Sequence, residues 1–221
     1  LTISTLGNSQ DFGDMTYKAQ NPSRGHVSSR SRGLFAGGYT PVGRKNHIDF
    51  ITIASTGDAT DFGDLTVNRE TAAGGSNGTR GIYAGGFTNP NQNNVIDYVT
   101  IASTGNAVDF GDVSEAAGML AVCNSTRMVI RVNNNTTTEF ITMSTTGNST
   151  DFGTITASYG SASGDSSTRG IFAGTTNGNI IEFITTATLG NSQDFGDLTQ
   201  SRTSSAGTSS PTRMVIIGGG T

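Results

Sequence analysis

The stretch Ile48-Asp49-Phe50-Ile51-Thr52-Ile53-Ala54-Ser55-Thr56-Gly57-Asp58-Ala59-Thr60-Asp61-Phe62-Gly63-Asp64 decides the fold. It holds a short apolar run, a Thr-Gly-Asp turn of the kind that closes hairpins, and a second short run carrying Asp-Phe-Gly-Asp. Asp-Phe-Gly returns along the chain, beginning at Asp11, Asp61, Asp109, Asp151 and Asp194, at spacings of 50, 48, 42 and 43 residues. An Arg-led apolar run keeps the same beat: Arg32-Gly33-Leu34-Phe35-Ala36, Arg80-Gly81-Ile82-Tyr83-Ala84, Arg127-Met128-Val129-Ile130, Arg169-Gly170-Ile171-Phe172-Ala173 and Arg213-Met214-Val215-Ile216-Ile217. The first apolar run is echoed at 96–101, 139–143 and 181–185, and residues 1–5 read as its tail.

Repeats of about 40–50 residues built from short strands are the signature of propeller blades. The unit reads as four strands. Strand A is a small-residue run such as 70–76, strand B the Arg-led run, strand C the Ile-Asp-Phe-Ile type and strand D the segment with Asp-Phe-Gly. No segment keeps a helical period over a useful window. Strands B and C are apolar on both faces, so both faces need cover, as in a blade held between two neighbours. Strand A is nearly free of bulk, which suits a crowded axis and few blades. Met119-Leu120-Ala121-Val122-Cys123 departs from this and is expected to plug the axis.

These features predict a single all-β domain over 1–221, a five-bladed β-propeller of four-stranded antiparallel blades. The blade units are approximately 24–66, 69–113, 116–155, 158–198, and 202–221 together with 1–16. The N- and C-terminal strands share the last blade. Joining the chain ends puts 38 residues between the last and first Asp-Phe-Gly, against a shortest internal repeat of 42. An open solenoid of stacked repeats ranks below the ring.

Composition narrows function. Gly, Thr, Ser and Asn number 31, 34, 24 and 18 of 221 residues, and charged residues make up 14%, well below the roughly 25% of an ordinary domain. A net charge of −4 with scattered Arg argues against a nucleic-acid partner. No apolar run approaches a membrane span, so no membrane insertion is expected, and no signal peptide is visible. The single cysteine, Cys123, excludes an internal disulfide framework and a Cys-rich zinc site. His26, placed on strand A, and His47, at the start of strand C, could join Tyr39 around copper or zinc, but no spacing requires it, so no metal and no cofactor are expected. Asp-Phe-Gly in five copies is a structural repeat: a kinase uses it once, with a Lys strand and a His-Arg-Asp loop that are absent here. Sialidase-type chemistry needs an arginine cluster with Tyr and Glu that the sequence does not offer. No catalytic residues are assigned, and an enzyme acting on glycans is the remote alternative.

The unit Arg80-Gly81-Ile82-Tyr83-Ala84-Gly85-Gly86, its variable loop, Ile96-Asp97-Tyr98, Gly105 and Phe110 resembles a kelch repeat, over nearly the whole chain. Phe stands where kelch blades carry a strand-D Trp, and the di-glycine is lost in the third unit and halved in the fourth. The Asp-Phe-Gly-Asp dialect looks like the propeller repeats of phage tail-fibre and virion-surface proteins. That resemblance implies a location on a virion surface, outside the cell.

Two structural sets recur five times: the Asp residues Asp11, Asp61, Asp109, Asp151 and Asp194, and the Arg residues Arg32, Arg80, Arg127, Arg169 and Arg213. Their matched number suggests ion pairs, or Asp-to-backbone hydrogen bonds, that staple each blade. The C–D turns are monotonous, whereas the B–C loops differ from blade to blade. Variable loops on one face of a rigid scaffold are what binding proteins use. Candidate ligand-binding residues on that face are Tyr39, Arg44, Lys45, His47, Phe87, Asn91, Gln92, Asn93, Asn134 and Asn177. Aromatic faces with planar amides and a guanidinium suit a glycan. The expected function is non-catalytic carbohydrate binding in host attachment. The alternative is a structural or assembly module that docks another virion protein.

Overall fold

The computed structural model describes residues 10–25, 27–115, 117–132, 136–156, 162–175 and 178–220. Every regular element among them is a strand. In chain order these are β1 (Arg24–Gly25), β2 (Val27–Ser28), β3 (Arg32–Ala36), β4 (Tyr39–Thr40), β5 (Gly43–Arg44), β6 (His47–Thr52) and β7 (Thr60–Asp64). Then come β8 (Ala73–Ser76), β9 (Arg80–Ala84), β10 (Val95–Thr100), β11 (Val108–Asp112), β12 (Ala117–Cys123), β13 (Arg127–Val132), β14 (Thr137–Thr142) and β15 (Thr150–Thr154). The series ends with β16 (Ala162–Asp165), β17 (Arg169–Thr175), β18 (Gly178–Thr185), β19 (Gln193–Asp197), β20 (Ala206–Ser209) and β21 (Met214–Ile217).

Four antiparallel sheets of the expected A-B-C-D order form: β2-β3-β6-β7, β8-β9-β10-β11, β12-β13-β14-β15 and β16-β17-β18-β19. β20 and β21 pair as strands A and B of a fifth unit. Two details were not foreseen. β4 and β5 make a small hairpin inside the first B–C loop, and β1 adds to the second sheet as a parallel neighbour of β8.

The sheets stack through apolar side chains. Leu34, Ile48 and Phe62 meet Tyr83, Val99 and Ile101 between the first and second sheets. Ile96 and Phe110 meet Met128 and Met143 between the second and third, and Val129 and Phe152 meet Phe172 and Ile184 between the third and fourth. Each fully buried side chain of this size contributes roughly 1.5–3 kcal/mol by leaving water. The first strands of the units, β2, β8, β12, β16 and β20, contact one another in sequence order, and Leu120 and Val122 of β12 are buried in the core between the third and fourth sheets.

Four of the five Asp-Phe-Gly segments, those at Asp11, Asp61, Asp109 and Asp151, rest on the next unit's C–D turn. Gly57, Gly105, Gly147 and Gly190 donate their N–H to the carbonyls of Phe12, Phe62, Phe110 and Phe152 at 2.7, 2.7, 2.7 and 2.9 Å. The approach explains the glycine of the motif: a Cβ on Gly63 (φ +141°) would stand 2.5 Å from the Gly105 carbonyl oxygen. Residues 10–14 take this position against the first sheet's turn, as strand D of a preceding unit would. Residues 1–9 lie outside the described residues.

Of the two staples expected within each unit, the Asp-to-backbone bonds form and the Asp–Arg ion pairs do not, while other groups join one unit to the next. Ion pairs among the described residues do not join the Asp-Phe-Gly aspartates to the strand-B arginines. Asp11, Asp61 and Asp194 accept from the N–H two residues on, that of Gly13, Gly63 and Gly196, at 3.2, 3.0 and 2.9 Å, and stay exposed. This is the Asp-to-backbone alternative, and it fixes a turn within one strand. The arginines instead lie over the strand-C aromatic of their own sheet: Arg32 over Phe50, Arg80 over Tyr98, Arg127 over Phe140 and Arg169 over Phe183, at 4.3–4.7 Å. Three of them also donate into the next unit, Arg32 to the Ile101 carbonyl, Arg80 to that of Met143 and Arg127 to that of Ala187, at 2.9, 3.1 and 2.8 Å.

The acidic side chains that cross between units are those of strand C. Asp49, Asp97, Glu139 and Glu182 are buried, and each sits at a register shift where strand C pairs with strand D. Such a bulge re-aims a side chain. The N–H groups of Thr16, Thr66, Ser114 and Thr156, each just past the preceding Asp-Phe-Gly, donate to these carboxylates at 3.0, 3.2, 3.0 and 2.7 Å. The Thr16 and Thr66 hydroxyls add bonds of 2.7 and 2.6 Å, and the Ser114 hydroxyl bonds Glu139 likewise.

Candidate binding face

The B–C loops leave strand B through turns that put side chains at one end of the sheets. The β4–β5 hairpin pairs Tyr39 with Arg44, and Arg44 reaches from there into the neighbouring unit. Its guanidinium lies 4.3 Å from the Phe87 ring centre and 5.5 Å from that of Tyr39. Its Nη2 stands 2.7 Å from Glu70 Oε1, and Asn21 Nδ2 donates to the other Glu70 oxygen at 3.2 Å. The structure thus gathers Tyr39, Arg44 and Phe87 into one cluster and adds Glu70 and Asn21. Arg44 covers one face of each ring, while Tyr39 keeps 38% of its surface exposed. Arg44 Nε is buried without a hydrogen-bond partner.

Phe87 is held by bridges to Glu70 and Gln92. Around it, the Asn91 carbonyl accepts from the Thr88 N–H at 2.9 Å and hydroxyl at 2.8 Å, and Asn93 Oδ1 accepts from the Val95 N–H at 3.0 Å. Asn91 is exposed, and Gln92 and Asn93 are half-buried. Lys45 is half-buried in the chain that carries Arg44, its backbone bonded to Gly38 and Arg69. Asn134 and Asn177 lie outside the described residues, as does His26.

His47 does not belong with the loop cluster. Its ring is flanked by Tyr17, edge-on at 4.9 Å, and bonded to Thr16 Oγ1 at 3.0 Å. Asp49, Asp61 and Asp64 stand 3.2, 3.6 and 3.9 Å away. It works as part of the contact between residues 16–17 and the first sheet. Tyr17 donates to the Gly37 carbonyl at 2.5 Å, and burial, helped by Asp49, pushes its phenol up to about 12. Among the described residues there is no group of three or more His, Cys, Asp or Glu able to hold a metal ion.

Behind the loops lies a buried cation. Arg69 is fully buried and meets Asp97 at 2.6 Å. It also donates to the carbonyls of Gly85, Val95 and Tyr83 at 3.0, 2.7 and 3.3 Å. Burial lowers its pKa, and Asp97 opposes that shift. Arg69 thereby ties the end of strand B to the start of strand C, below the Phe87 loop. Three of its four acceptors are backbone carbonyls, which carry no residue identity and leave no mark in the sequence. No known protein-family model matches the chain, and no curated protein sequence matches it.

Proposed function

We propose that the protein is a non-catalytic binding module whose B–C loop face takes a carbohydrate on a host surface. On this reading the four sheets and the β20–β21 pair are the blades of a five-bladed kelch-like ring carried on a phage virion or tail fibre, outside the cell. The observation that carries the proposal is the Tyr39–Arg44–Phe87 cluster, braced by Glu70 and placed where the units differ. Aromatic rings offer the apolar faces of a sugar a stacking surface, and the surrounding Asn and Gln offer planar hydrogen-bonding groups. The contacts at the C–D turns repeat from unit to unit and serve the frame.

A glycan array on the whole chain tests this. Specific binding at millimolar to micromolar affinity, lost in Tyr39→Ala and Phe87→Ala, supports attachment. A blank array turns the reading to its alternative, a module that docks another virion protein. Turnover of a bound glycan would mean an enzyme.

A further inference from the structure

The sheets meet through one size-matched pair per interface. On strand A the position paired with the residue two after the strand-B Arg carries Val27, Gly75, Val122, Gly164 and Thr208. On strand B the residue after the leading Arg is Gly33, Gly81, Met128, Gly170 and Met214. In the four interfaces formed, the first group of one unit meets the second group of the next. A Cβ on Gly81 would stand 2.4 Å from Val27 Cγ1, and one on Gly170 would stand 2.3 Å from Val122 Cγ2. The other two are reversed: a Cβ on Gly75 would stand 3.0 Å from Met128 Sδ, and one on Gly164 would stand 2.9 Å from Met214 Cγ. Every interface therefore sets one glycine against one larger side chain. Thr208 of the last unit and Gly33 of the first are left over, and they too are one larger residue and one glycine. Gly33 has room, since a Cβ there meets nothing closer than Ile51 Cγ1 at 3.5 Å.

The same two surfaces carry misplaced apolar exposure. Phe35 and Ile53, on the side of the first sheet that would face a preceding unit, are 38% and 46% exposed, whereas their counterparts Tyr83 and Ile101 are 0% and 1%. Val215 and Ile217, on the side of β21 that would face a following unit, are 52% and 59% exposed, whereas the matching Val129 and Ala84 are both 0%. Two half-interfaces of complementary shape stand at the two ends of one series.

We propose that these are the two halves of a fifth interface and that the occupant of the β20–β21 face is the first sheet of the same chain, with Thr208 seated on Gly33. This rests on the proposed ring and names the seam that closes it. The closed form covers Phe35, Ile53, Val215 and Ile217 together, as the other interfaces cover their equivalents.

The test is a size-swap cycle with a crosslink. Gly33→Val should lower the melting midpoint by about 5 °C through overpacking against Thr208. Gly33→Val with Thr208→Gly, which reverses the pair as in Gly75–Met128, should recover most of that loss. Gly33→Cys with Thr208→Cys, oxidised, should give an intrachain disulfide in a monomer, read by non-reducing gel and mass. An interchain disulfide would assign the seam to a second copy and overturn the proposal. So would the absence of any crosslink, or melting losses that simply add. The crosslink needs no folding margin, so it still decides between these outcomes if Gly33→Val fails to fold. Failure at the seam and failure of glycan binding are separable, because Tyr39→Ala and Phe87→Ala leave Thr208 and Gly33 untouched.

Discussion

The second sheet and the β20–β21 pair are built from the same repeat and differ in what surrounds them. In the second sheet Ile82, Tyr83, Ala84 and Ile96 are completely buried, a neighbour stands on each side, and Asp97 receives Thr66 from the unit before. In β21 alternate residues stand in water, and Arg202, which bonds the Gly218 carbonyl at 2.6 Å, is the partly exposed counterpart of the buried Arg69. The apolar pattern of a repeat strand therefore yields a core only when both neighbours are in place. The contacts between units therefore add their own contribution to that of each unit, as in other repeat arrays.

The sharpest way to break that contrast is to remove a crossing carboxylate. Asp97→Ala leaves the Arg69 guanidinium buried without its partner and should cost about 3–5 kcal/mol, measured by chemical denaturation. A loss below about 1 kcal/mol would mean that the frame does not depend on the strand-C acids. Next, Phe110→Ala should cost roughly 3 kcal/mol or more, and Phe195→Ala less than half as much, because Phe110 is 2% exposed and Phe195 53%. Equal losses would erase the difference between interior and terminal units.

A pH dependence sharpens the comparison from inside the third sheet. Burial, followed by the nearby Asp165, pushes the Cys123 thiol up to about 12 from an ordinary 9.0. The unfolded chain can ionise this thiol above pH 9 and the folded chain cannot. Stability should hold below about pH 9 and fall as pH rises from there toward 12. Cys123→Ser should remove the part of the decline that begins near pH 9. The smallest effect is expected at Asp109→Ala. Asp109 is exposed, so the loss should stay within about 0.5 kcal/mol, and a larger one would restore the Asp-Phe-Gly aspartate as a staple of its unit.

Much of the framework was legible because it is periodic. The four-strand unit and the C–D turns follow from spacing and turn chemistry; of the five Asp-Phe-Gly phenylalanines, all expected between units, Phe62, Phe110 and Phe152 are buried there while Phe12 and Phe195 are 36% and 53% exposed. The acids that cross between units were in plain view as well. Asp49, Asp97 and Glu182 each interrupt an apolar run and Glu139 opens one, and an acid in such a place signals a buried partner. The aspartate of Asp-Phe-Gly drew attention first because it recurs five times, but that recurrence reflects a local turn. The arginine contacts were hidden for another reason: their acceptors are rings and backbone carbonyls, which only the folded register brings within reach. On the candidate binding face Tyr39, Arg44 and Phe87 were visible singly. Their union depends on Arg44 crossing to the next unit, which no spacing within one loop reveals.

The alternation of glycine and bulk along the inner strands has a consequence for assembly. A chain of near-identical repeats is prone to docking the wrong neighbours, and this one carries a lock against it. Were the first and third units' inner strands to trade places with the second's and fourth's, glycine would face glycine in some contacts and valine would collide with methionine in others. Which kinds of unit can stand side by side is thereby written into their shapes, independently of the loops. Those loops remain free to diversify without any risk of scrambling the scaffold that displays them.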